Sequence, residues 1–162
     1  DRPTDEISLI VVHGISLPPG KFGGDDVEDL FLGRLDTGNP ELADLIGLRV
    51  SSHLFIRRSG EIIQFVDFDK RAWHAGESVF LGRSACNDFS IGVELEGTDT
   101  IEYENVQYLQ LVSVCRTLIS EYSILNVRGH CDISPGRKTD PGSTFEWHRL
   151  EEALGPGLLG CE

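Results

Sequence analysis

Residues 130–142 read His-Cys-Asp-Ile-Ser-Pro-Gly-Arg-Lys-Thr-Asp-Pro-Gly and carry several reactive side chains on one short segment. The imidazole of His130, the amine of Lys138 and the carboxylate of Asp140 could place a metal ligand beside a fixed positive charge. Two Pro-Gly pairs restrict the backbone, so we expect an irregular surface loop that aims these groups. Because Lys138 and Asp140 are two residues apart, an extended segment would point both the same way.

A second feature is a set of residues that could bind zinc. A catalytic zinc site uses three protein ligands from His, Cys, Asp or Glu and leaves one position for water. His13, His130 and Asp140 could supply such a set. A histidine considered alone is more often a hydrogen-bonded structural residue, and that interpretation stays open for both imidazoles. Cys131 is a competing ligand, but adjacent residues of an extended segment face opposite ways, which disfavours it beside His130.

Hydrolysis at such a site also needs an acid/base group. Zinc lowers the pKa of its bound water to about 7, and a carboxylate can pass the released proton to a leaving amine. Glu94 is our candidate, since a carboxylate inside an apolar strand is costly to bury without a function or a charge partner. A half-exposed polar strand face is the alternative, and Glu96 is the competing acid/base residue. Lys138 would stabilise the developing oxyanion, with a solvated surface lysine as the alternative.

The other three histidines have different expected roles. His74 follows Trp73 on a predicted loop, where the pair could line a cleft with the indole as a stacking surface. An ordinary core tryptophan is equally compatible with the sequence. We expect His53 to be packed, or to support a ligand from behind, and not to bind metal itself. We expect His148 to lie at the surface.

The size and charge of the chain limit its class. With 162 residues and 40% hydrophobic content, residues 1–162 are expected to form a single domain. A formal charge of -13 disfavours nucleic-acid binding, which needs clustered Lys and Arg. No apolar run approaches the roughly 20 residues that span a bilayer. The first five residues have no signal-peptide character, although a removed leader stays open because the chain does not begin with Met. We therefore expect a soluble partner that is not DNA. We also expect the protein to be a monomer without a membrane partner.

Cysteine usage indicates the compartment. Cys86, Cys115, Cys131 and Cys161 include no Cys-x-x-Cys pair, and a domain of this size does not need disulfides. We therefore expect reduced thiols and a cytoplasmic location.

The elements that must position these residues follow from hydrophobic patterning. Residues 7–12 are a continuous apolar run that predicts a strand buried on both faces and ending at His13. Residues 89–95 predict another strand, with Glu94 in its interior. The remaining predicted elements are a loop at 14–24, a helix at 27–35 capped by Asp25 and Asp26, a break at 36–40, a partly helical segment at 41–48, a hairpin of strands 50–57 and 61–66 around a turn at 59–60, a long loop at 72–87, a helix at 105–122, a short strand at 127–129, a terminal helix at 145–154 and a fraying tail from 155.

At this level of detail the sequence resembles the bacterial AmpD-type N-acetylmuramoyl-L-alanine amidases. These are zinc enzymes of the amidase-2 group, related to phage T7 lysozyme and to peptidoglycan recognition proteins. The likeness covers nearly the whole chain. Its most specific motifs are Arg-Ala-Trp-His-Ala-Gly at 71–76, Cys-Asn-Asp-Phe-Ser-Ile-Gly-Val-Glu-Leu-Glu-Gly at 86–97, and the segment 129–142.

The resemblance implies an α/β (α+β) fold with a mixed central β-sheet flanked by helices. It implies zinc held by His13, His130 and Asp140, with Glu94 as the acid/base group and Lys138 as the transition-state stabiliser. The implied reaction is hydrolysis of the amide between the lactyl group of N-acetylmuramic acid, with the 1,6-anhydro form preferred, and the L-Ala of the stem peptide. The implied role is the recycling of cell-wall fragments.

Three positions depart from the family pattern. Gly14 stands where the residue after the first zinc histidine is usually Asn, so any hydrogen bond of that side chain is absent. Ser52 stands where T7-type relatives carry Tyr, which fits AmpD-type enzymes that rely on the strand glutamate. Ala85 stands where Arg often contacts a stem-peptide carboxylate. Arg49, which matches another family arginine, or Arg83 could take over that contact.

Two other functions compete with hydrolysis of soluble muropeptides. A non-catalytic peptidoglycan-binding module is disfavoured by the intact set of candidate residues. A secreted endolysin acting on polymeric peptidoglycan is disfavoured by the acidic net charge, because the wall is itself anionic. A small anionic substrate needs only a local basic cleft. The cations available for one are Arg49, Arg57, Arg58, Arg71, Arg83, Arg137 and Lys138.

Overall fold

The computed structural model describes residues 1–36 and 38–159. Cys161, one of the predicted thiols, and Thr37, in the predicted break at 36–40, lie outside the described residues. The helices and strands in chain order are β1 (Leu9–Ile15), α1 (Asp26–Phe31), β2 (Leu54–Ile56), β3 (Ile62–Gln64), β4 (Val79–Phe80), β5 (Arg83–Ser84), β6 (Ser90–Glu96), α2 (Asn105–Glu121), β7 (Asn126–Gly129), α3 (His130–Ile133) and α4 (Trp147–Leu154). Short 3-10 helices span Thr4–Glu6, Pro40–Leu45 and Cys86–Asp88.

Five of these strands form one mixed sheet in the order β3-β2-β6-β1-β7. β1 is parallel to β6 and β7, β2 is parallel to β6, and β3 is antiparallel to β2. The interior position of β1, between β6 and β7, explains its continuous apolar run, because a strand with helices or loops on both faces has no solvated side. The expected mixed sheet, the buried first strand and the hairpin of β2 and β3 are therefore confirmed.

The two faces of the sheet carry different layers. Ile91 and Val93 of β6 pack with Leu111 and Cys115 of α2 and with Leu150 of α4 in one buried cluster. The opposite face of β1 packs against loops, α3 and the 3-10 helix Cys86–Asp88. Helices thus cover one face, while the face that carries chemistry is covered mostly by irregular chain.

Helix α2 is close to the predicted helix at 105–122, but hydrophobicity alone does not decide which of its residues are buried. Leu109 is 69% exposed. Gln107 is buried in its place, because its amide donates to the carbonyls of Ile56 and Glu96 at the ends of β2 and β6. The Gln107 side chain also accepts from the N–H of Glu104, which begins the helix with a capping box.

Helix α1 is shorter than the predicted helix at 27–35. Gly33 adopts a φ of 68°, and the N–H groups of Gly33 and Arg34 bond back to Leu30 and Asp29, which ends the helix as glycine commonly does. The predicted side-chain cap is wrong, because Asp25 occupies the N-cap position without a side-chain hydrogen bond to the helix.

Other predicted boundaries also need correction. The strand at 50–57 is reduced to β2, because Ser51 donates its N–H to the carbonyl of Trp73 and not to a neighbouring strand. The loop at 72–87 contains the hairpin of β4 and β5. The segment after residue 129 begins as helix α3 and not as a loop, since the Asp132 carboxylate accepts from the N–H of Gly129. The terminal helix begins at Trp147, and Phe145 is instead buried in the core.

Within the described ranges, Cys86, Cys115 and Cys131 form no disulfide. In the same ranges no helix combines the length and apolar character needed to cross a membrane.

Candidate functional site

The candidate ligands meet at the carboxyl ends of neighbouring parallel strands. His13 lies on β1 directly opposite Glu94 on β6. On the other side of β1, β7 ends and α3 begins with His130. Parallel strands end at the same edge of a sheet, where sites are commonly built. The chain after α3 returns to this edge, because the N–H of Cys131 donates to the carbonyl of Asp140 at 3.0 Å.

Two imidazole nitrogens and one carboxylate oxygen form a compact triangle. His13 Nδ1 lies 3.0 Å from His130 Nδ1, and Asp140 Oδ2 lies 3.2 and 3.1 Å from these two nitrogens. Within residues 1–36 and 38–159, these three residues are the one group of His, Cys, Asp or Glu side chains close enough to hold a metal ion. The thiol of Cys131 contacts Asp132 instead.

The hydrogen bonds around the triangle leave acceptors at its centre. His130 Nε2 lies 3.1 Å from the carbonyl of Ala75, so Nε2 donates and Nδ1 carries a lone pair. The carboxylate of Asp140 is also an acceptor, and acceptors at such distances repel each other unless a cation lies between them. Tetrahedral zinc with bonds of roughly 2.0–2.1 Å separates its ligands by about 3.3 Å. The size and the chemistry of the triangle therefore fit zinc.

The protein also holds two of these ligands in the protonation states that zinc needs. Burial lowers the pKa of His13 from 6.5 to about 4, and the nearby carboxylate of Asp140 offsets only part of that effect. Burial alone would raise the pKa of Asp140, but the close imidazoles of His13 and His130 hold it well below its ordinary value. Metal ligation requires a neutral imidazole and an ionised carboxylate, which these shifts provide at neutral pH.

Glu94 faces the triangle from β6. Its Oε1 lies 3.9 Å from His13 Nδ1. Burial and the nearby charge of Asp140 raise the pKa of Glu94 well above its ordinary value, while the charge of Lys138 lowers it. All seven residues of β6 are buried, so the half-exposed polar face considered for this strand is wrong. A buried carboxyl group with a raised pKa is suited to carry a proton at neutral pH.

Glu96, the competing carboxylate, has a structural environment. It accepts hydrogen bonds from the backbone N–H groups of Gly23 and Arg58. It thereby ties the loop after β1 and the turn after β2 to the end of β6. Its oxygens are occupied by the backbone, unlike those of Glu94, for which no hydrogen bond is found among the described residues.

Lys138 lies on the exposed segment between α3 and Asp140. Its N–H bonds to the carbonyl of Ser134, so a turn of the predicted loop directly precedes this lysine. The ammonium group is close enough to lower the pKa of both Glu94 and His13.

The structure separates the two residues of the predicted cleft pair. Trp73 is 54% exposed and its ring lies under the guanidinium of Arg71, so a core position for this tryptophan is wrong. His74 is 8% exposed and points inward, with its Nδ1 2.9 Å from His13 Nε2. The prediction that His74 lines a substrate cleft is therefore wrong, because its ring packs behind a candidate ligand.

His53 and His148 lie as expected. His53 is buried and accepts from the N–H of Gly92 through Nδ1, while its Nε2 faces the carbonyl of Lys70, so it is a packed residue. His148 is exposed on α4.

The predicted basic cleft is mostly neutralised inside the protein. Arg57 pairs with Asp25, Glu28 and Glu61, and Arg58 pairs with Glu104. The other paired cations are Arg71 with Asp88, Arg83 with Glu6, and Arg137 with the carbonyls of Ala75 and Glu77.

Two cations of that set are exceptions. Over the described ranges, neither Arg49 nor Lys138 has an ion pair. The ion pair of Arg83 with Glu6 also argues against Arg83 as the residue that replaces the arginine found in the family at the position of Ala85.

Two residues near the site were not identified from the sequence. The phenol of Tyr103 donates to the carbonyl of Pro141 at 2.8 Å, directly after Asp140. The hydroxyl of Ser90 contacts the ring of His74 at 3.2 Å. The sequence signal for Tyr103 was a pair of glycines near the ends of β1 and β6, Gly14 and Gly97, which leave space for a large side chain. A β-carbon on Gly97 would lie 2.3 Å from the tyrosine ring.

The chain is similar to known amidases over most of its length. A family model described as N-acetylmuramoyl-L-alanine amidase matches residues 3–143. The protein named 1,6-anhydro-N-acetylmuramyl-L-alanine amidase AmpD is 59% identical in Salmonella typhimurium, over 92% of this chain and 82% of that protein. The Escherichia coli protein of the same name is 58% identical, over 92% of this chain and 84% of its own length.

Solved structures of amidases also resemble this protein over most of its length. A crystal structure of a selenomethionine AmpD derivative superposes with a TM-score of 0.88 at 54% identity, covering 94% of this chain and 85% of that one. The Escherichia coli amidase AmiD, in complex with the substrate anhydro-N-acetylmuramic acid-L-Ala-D-gamma-Glu-L-Lys, has a TM-score of 0.70 at 30% identity. The superposition with AmiD covers 96% of this chain and 59% of the AmiD chain.

Proposed function

Because the chain belongs to the N-acetylmuramoyl-L-alanine amidase family and is an amidase of cell-wall recycling, we propose that it works as a zinc enzyme on soluble 1,6-anhydro-N-acetylmuramyl peptides. The bond hydrolysed is the amide between the lactyl group of the sugar and the L-Ala of the stem peptide. The names of the relatives support the anhydro sugar, and the substrate complex of AmiD supports a peptide-bearing ligand.

The proposed zinc ligands are His13 Nδ1, His130 Nδ1 and an oxygen of Asp140. The observation that carries this proposal is the triangle of three acceptors 3.0–3.2 Å apart, beside a buried carboxyl group. When bound, zinc would acidify a water molecule and polarise the amide carbonyl.

Glu94 is the proposed acid/base group of the reaction. Its raised pKa favours the carboxyl form that can deliver a proton to the leaving amine of L-Ala. Its position opposite His13 on the neighbouring strand places it beside the ligands without making it one. Lys138 is the proposed donor to the developing oxyanion, because its charge lies near Glu94 and is not neutralised by a partner in the described residues.

Trp73 and Arg49 are the proposed contacts to the substrate. Trp73 offers an exposed aromatic face that can stack on a sugar or peptide group, and Arg49 is exposed. Arg49 can meet a carboxylate of the stem peptide, because the other arginines considered are committed to partners. We propose further that the protein acts in the cytoplasm as a monomer and without nucleic-acid or membrane partners. The free thiols of Cys86, Cys115 and Cys131 support the compartment, and the net charge of -13 disfavours nucleic acid.

Product analysis by mass spectrometry tests this function. Purified protein is incubated with a soluble anhydromuropeptide, with and without a chelator, and again after zinc is restored. We expect release of the free stem peptide, its loss on chelation and its return with zinc. Tight binding of the muropeptide without any product would instead support a binding module. Faster cleavage of intact sacculi than of the soluble substrate would support an endolysin.

A further inference from the structure

His13 is held from behind by a chain of hydrogen bonds that runs away from the metal triangle. Its Nε2 lies 2.9 Å from Nδ1 of His74. The Nε2 of His74 lies 3.2 Å from the hydroxyl oxygen of Ser90, and that oxygen lies 2.6 Å from the carbonyl oxygen of Cys86. All four groups are buried.

The direction of donation along these hydrogen bonds follows from their last acceptor, the carbonyl of Cys86. A carbonyl oxygen cannot donate, and two oxygens 2.6 Å apart need a proton between them, so the hydroxyl of Ser90 donates to Cys86. Ser90 has no second proton and must accept from Nε2–H of His74. In a neutral imidazole the other nitrogen is then an acceptor, so His74 Nδ1 accepts from Nε2–H of His13. The Nδ1 of His13 is left with its lone pair facing the triangle.

The reverse direction is incompatible with metal binding at the triangle. If Ser90 donated to His74, the imidazole of His74 would carry its proton on Nδ1 and donate to His13 Nε2. A neutral His13 would then carry its proton on Nδ1, directed at the position that the metal needs. The carbonyl of Cys86 therefore decides which nitrogen of His13, three hydrogen bonds away, is free to bind zinc.

The position of the His74 ring is also fixed by its surroundings. The amide oxygen of Asn87 accepts from the N–H groups of His74 and Ala75 at 3.1 and 2.8 Å. The ring lies against Gly92 so closely that a β-carbon there would be 2.4 Å from His74 Cγ. Backbone hydrogen bonds and this glycine therefore hold the imidazole at one distance from His13.

We infer that His74 is a positioning residue for the metal ligand His13, and that Ser90 sets the direction of the hydrogen bond between them. This inference rests on the proposed function in one respect, that zinc binds at the triangle. Partners behind a ligating histidine orient its ring and select its tautomer, and their loss typically weakens metal binding by 10–100-fold.

Nuclear magnetic resonance on the wild-type protein tests the direction without metal or substrate. Long-range proton–nitrogen correlation of histidine labelled with nitrogen-15, in chelated protein at neutral pH, identifies which ring nitrogen carries hydrogen. We expect both His13 and His74 to carry it on Nε2, with assignments made by loss of signals in His13→Asn and His74→Asn. A proton on Nδ1 of His74 would overturn the inference.

Zinc affinity, measured by competition with a chromophoric chelator, tests the positioning role. His74→Phe keeps a ring against Gly92 but removes the acceptor, so we expect the zinc dissociation constant to rise 10–100-fold. His74→Asn retains an acceptor oxygen close to the position of Nδ1 and should recover most of this loss. Equal affinity of His74→Phe and wild type would contradict the inference.

Ser90→Ala has a matched control in Ser52→Ala. Ser52 is another fully buried serine whose hydroxyl donates to a carbonyl, that of Gly92, and it has no hydrogen bond to a histidine. We expect Ser90→Ala to weaken zinc binding about tenfold and Ser52→Ala to leave it nearly unchanged. Equal effects of the two variants would reduce Ser90 to a packing role. Failure of the wild type to bind zinc would contradict the proposed function, while the tautomer result would stand by itself.

Discussion

The phenol oxygen of Tyr103 occupies the space where residue 14 would place a β-carbon. A β-carbon built on Gly14 would lie 2.2 Å from Tyr103 Oη, whereas the ring carbon Cζ is 3.5 Å away and Pro141 Cα 3.6 Å away. The same hydroxyl donates to the carbonyl of Pro141. Gly14, which departs from the family pattern, thus leaves the space that Tyr103 occupies. Tyr103 in turn stabilises the chain next to Asp140 through its hydrogen bond to Pro141.

This relationship predicts that the cost of Gly14→Ala depends on Tyr103. Alone, Gly14→Ala should destabilise the protein by about 1–3 kcal/mol through overpacking, and Tyr103→Phe by about 1 kcal/mol through loss of the hydrogen bond to Pro141. In the double variant the clash is absent, because the nearest ring atom is then at an ordinary contact distance. Urea unfolding of all four proteins should show a double variant more stable than the sum of the single effects allows. Additive losses would argue against the contact.

Glu94→Gln should abolish most of the activity while the metal is retained. The amide is nearly the same size as the carboxyl group but cannot transfer a proton, so we expect kcat to fall by about 10²–10⁴-fold. Zinc content, measured by elemental analysis, should stay at the wild-type level, because Glu94 is not one of the proposed ligands.

Glu96→Gln is the matched control for Glu94→Gln, two residues away on the same strand face. It weakens the bonds to Gly23 and Arg58 and should lower stability more than it lowers kcat. A larger loss of kcat in Glu96→Gln than in Glu94→Gln would reverse the assignment.

Trp73→Ala should raise KM for the muropeptide with little change in kcat. Stacking on an aromatic face is worth roughly 0.5–1.5 kcal/mol, which corresponds to a rise in KM of up to about tenfold. Leu109→Ala is the control, since it removes another exposed apolar side chain, on α2. An unchanged KM in Trp73→Ala would remove the indole from the substrate contact.

The sequence predicted the elements that depend on local patterning. The apolar run at 7–12 indicated a strand buried on both faces, and a carboxylate in the interior of the strand at 89–95 indicated Glu94, because both signals lie within a few consecutive residues. The inward orientation of His74 could not be read in this way. It depends on the path of the chain at 72–87 and on the space left by Gly92, a residue on another element.

The ion pairs that neutralise most of the arginines also could not be predicted from neighbouring residues in the sequence. Arg57 appeared available for a basic cleft, yet its partners Asp25 and Glu28 lie about 30 residues earlier in the chain and meet it only in the folded protein. The absence of side-chain capping by Asp25 has a related cause, since its carboxylate bonds to Arg57 instead of the helix. Composition reports how many cations exist, and only tertiary structure shows how many remain for a substrate.

His53 should make stability depend on pH in the zinc-free protein. Burial, together with the nearby charge of Arg2, lowers the pKa of His53 from 6.5 to about 4. The unfolded chain therefore binds this proton more readily than the folded one, so the stabilisation is present above pH 6.5 and is lost as pH falls towards 4. Between pH 8 and pH 5 the loss due to this residue is about 2 kcal/mol.

Urea unfolding at several pH values, in chelator, measures the effect of His53. His53→Asn keeps an acceptor for the N–H of Gly92 and should lose less stability on acidification than the wild type. His148→Asn, at an exposed position on α4, is the control that removes a histidine without removing a buried group. Parallel curves for all three proteins would exclude His53 as a source of acid sensitivity.

Asp140→Asn should stabilise the protein without zinc and remove the stabilisation by zinc. In the wild type the carboxylate and the Nδ1 atoms of His13 and His130 are three acceptors within 3.2 Å of one another. A single amide NH₂ group at this position has one hydrogen for each imidazole. Two new hydrogen bonds of about 0.5–1.5 kcal/mol each should raise the free energy of unfolding in chelator.

Thermal and urea unfolding with and without zinc compare Asp140→Asn with Asp140→Ala and the wild type. With zinc at 1,000 times its dissociation constant, the wild type should gain about 4 kcal/mol, and both variants should gain much less because a ligand is missing. In chelator, Asp140→Ala only removes the repulsion and should fall between the wild type and Asp140→Asn. A wild type that is the most stable of the three in chelator would mean that protons, rather than a cation, satisfy the triangle.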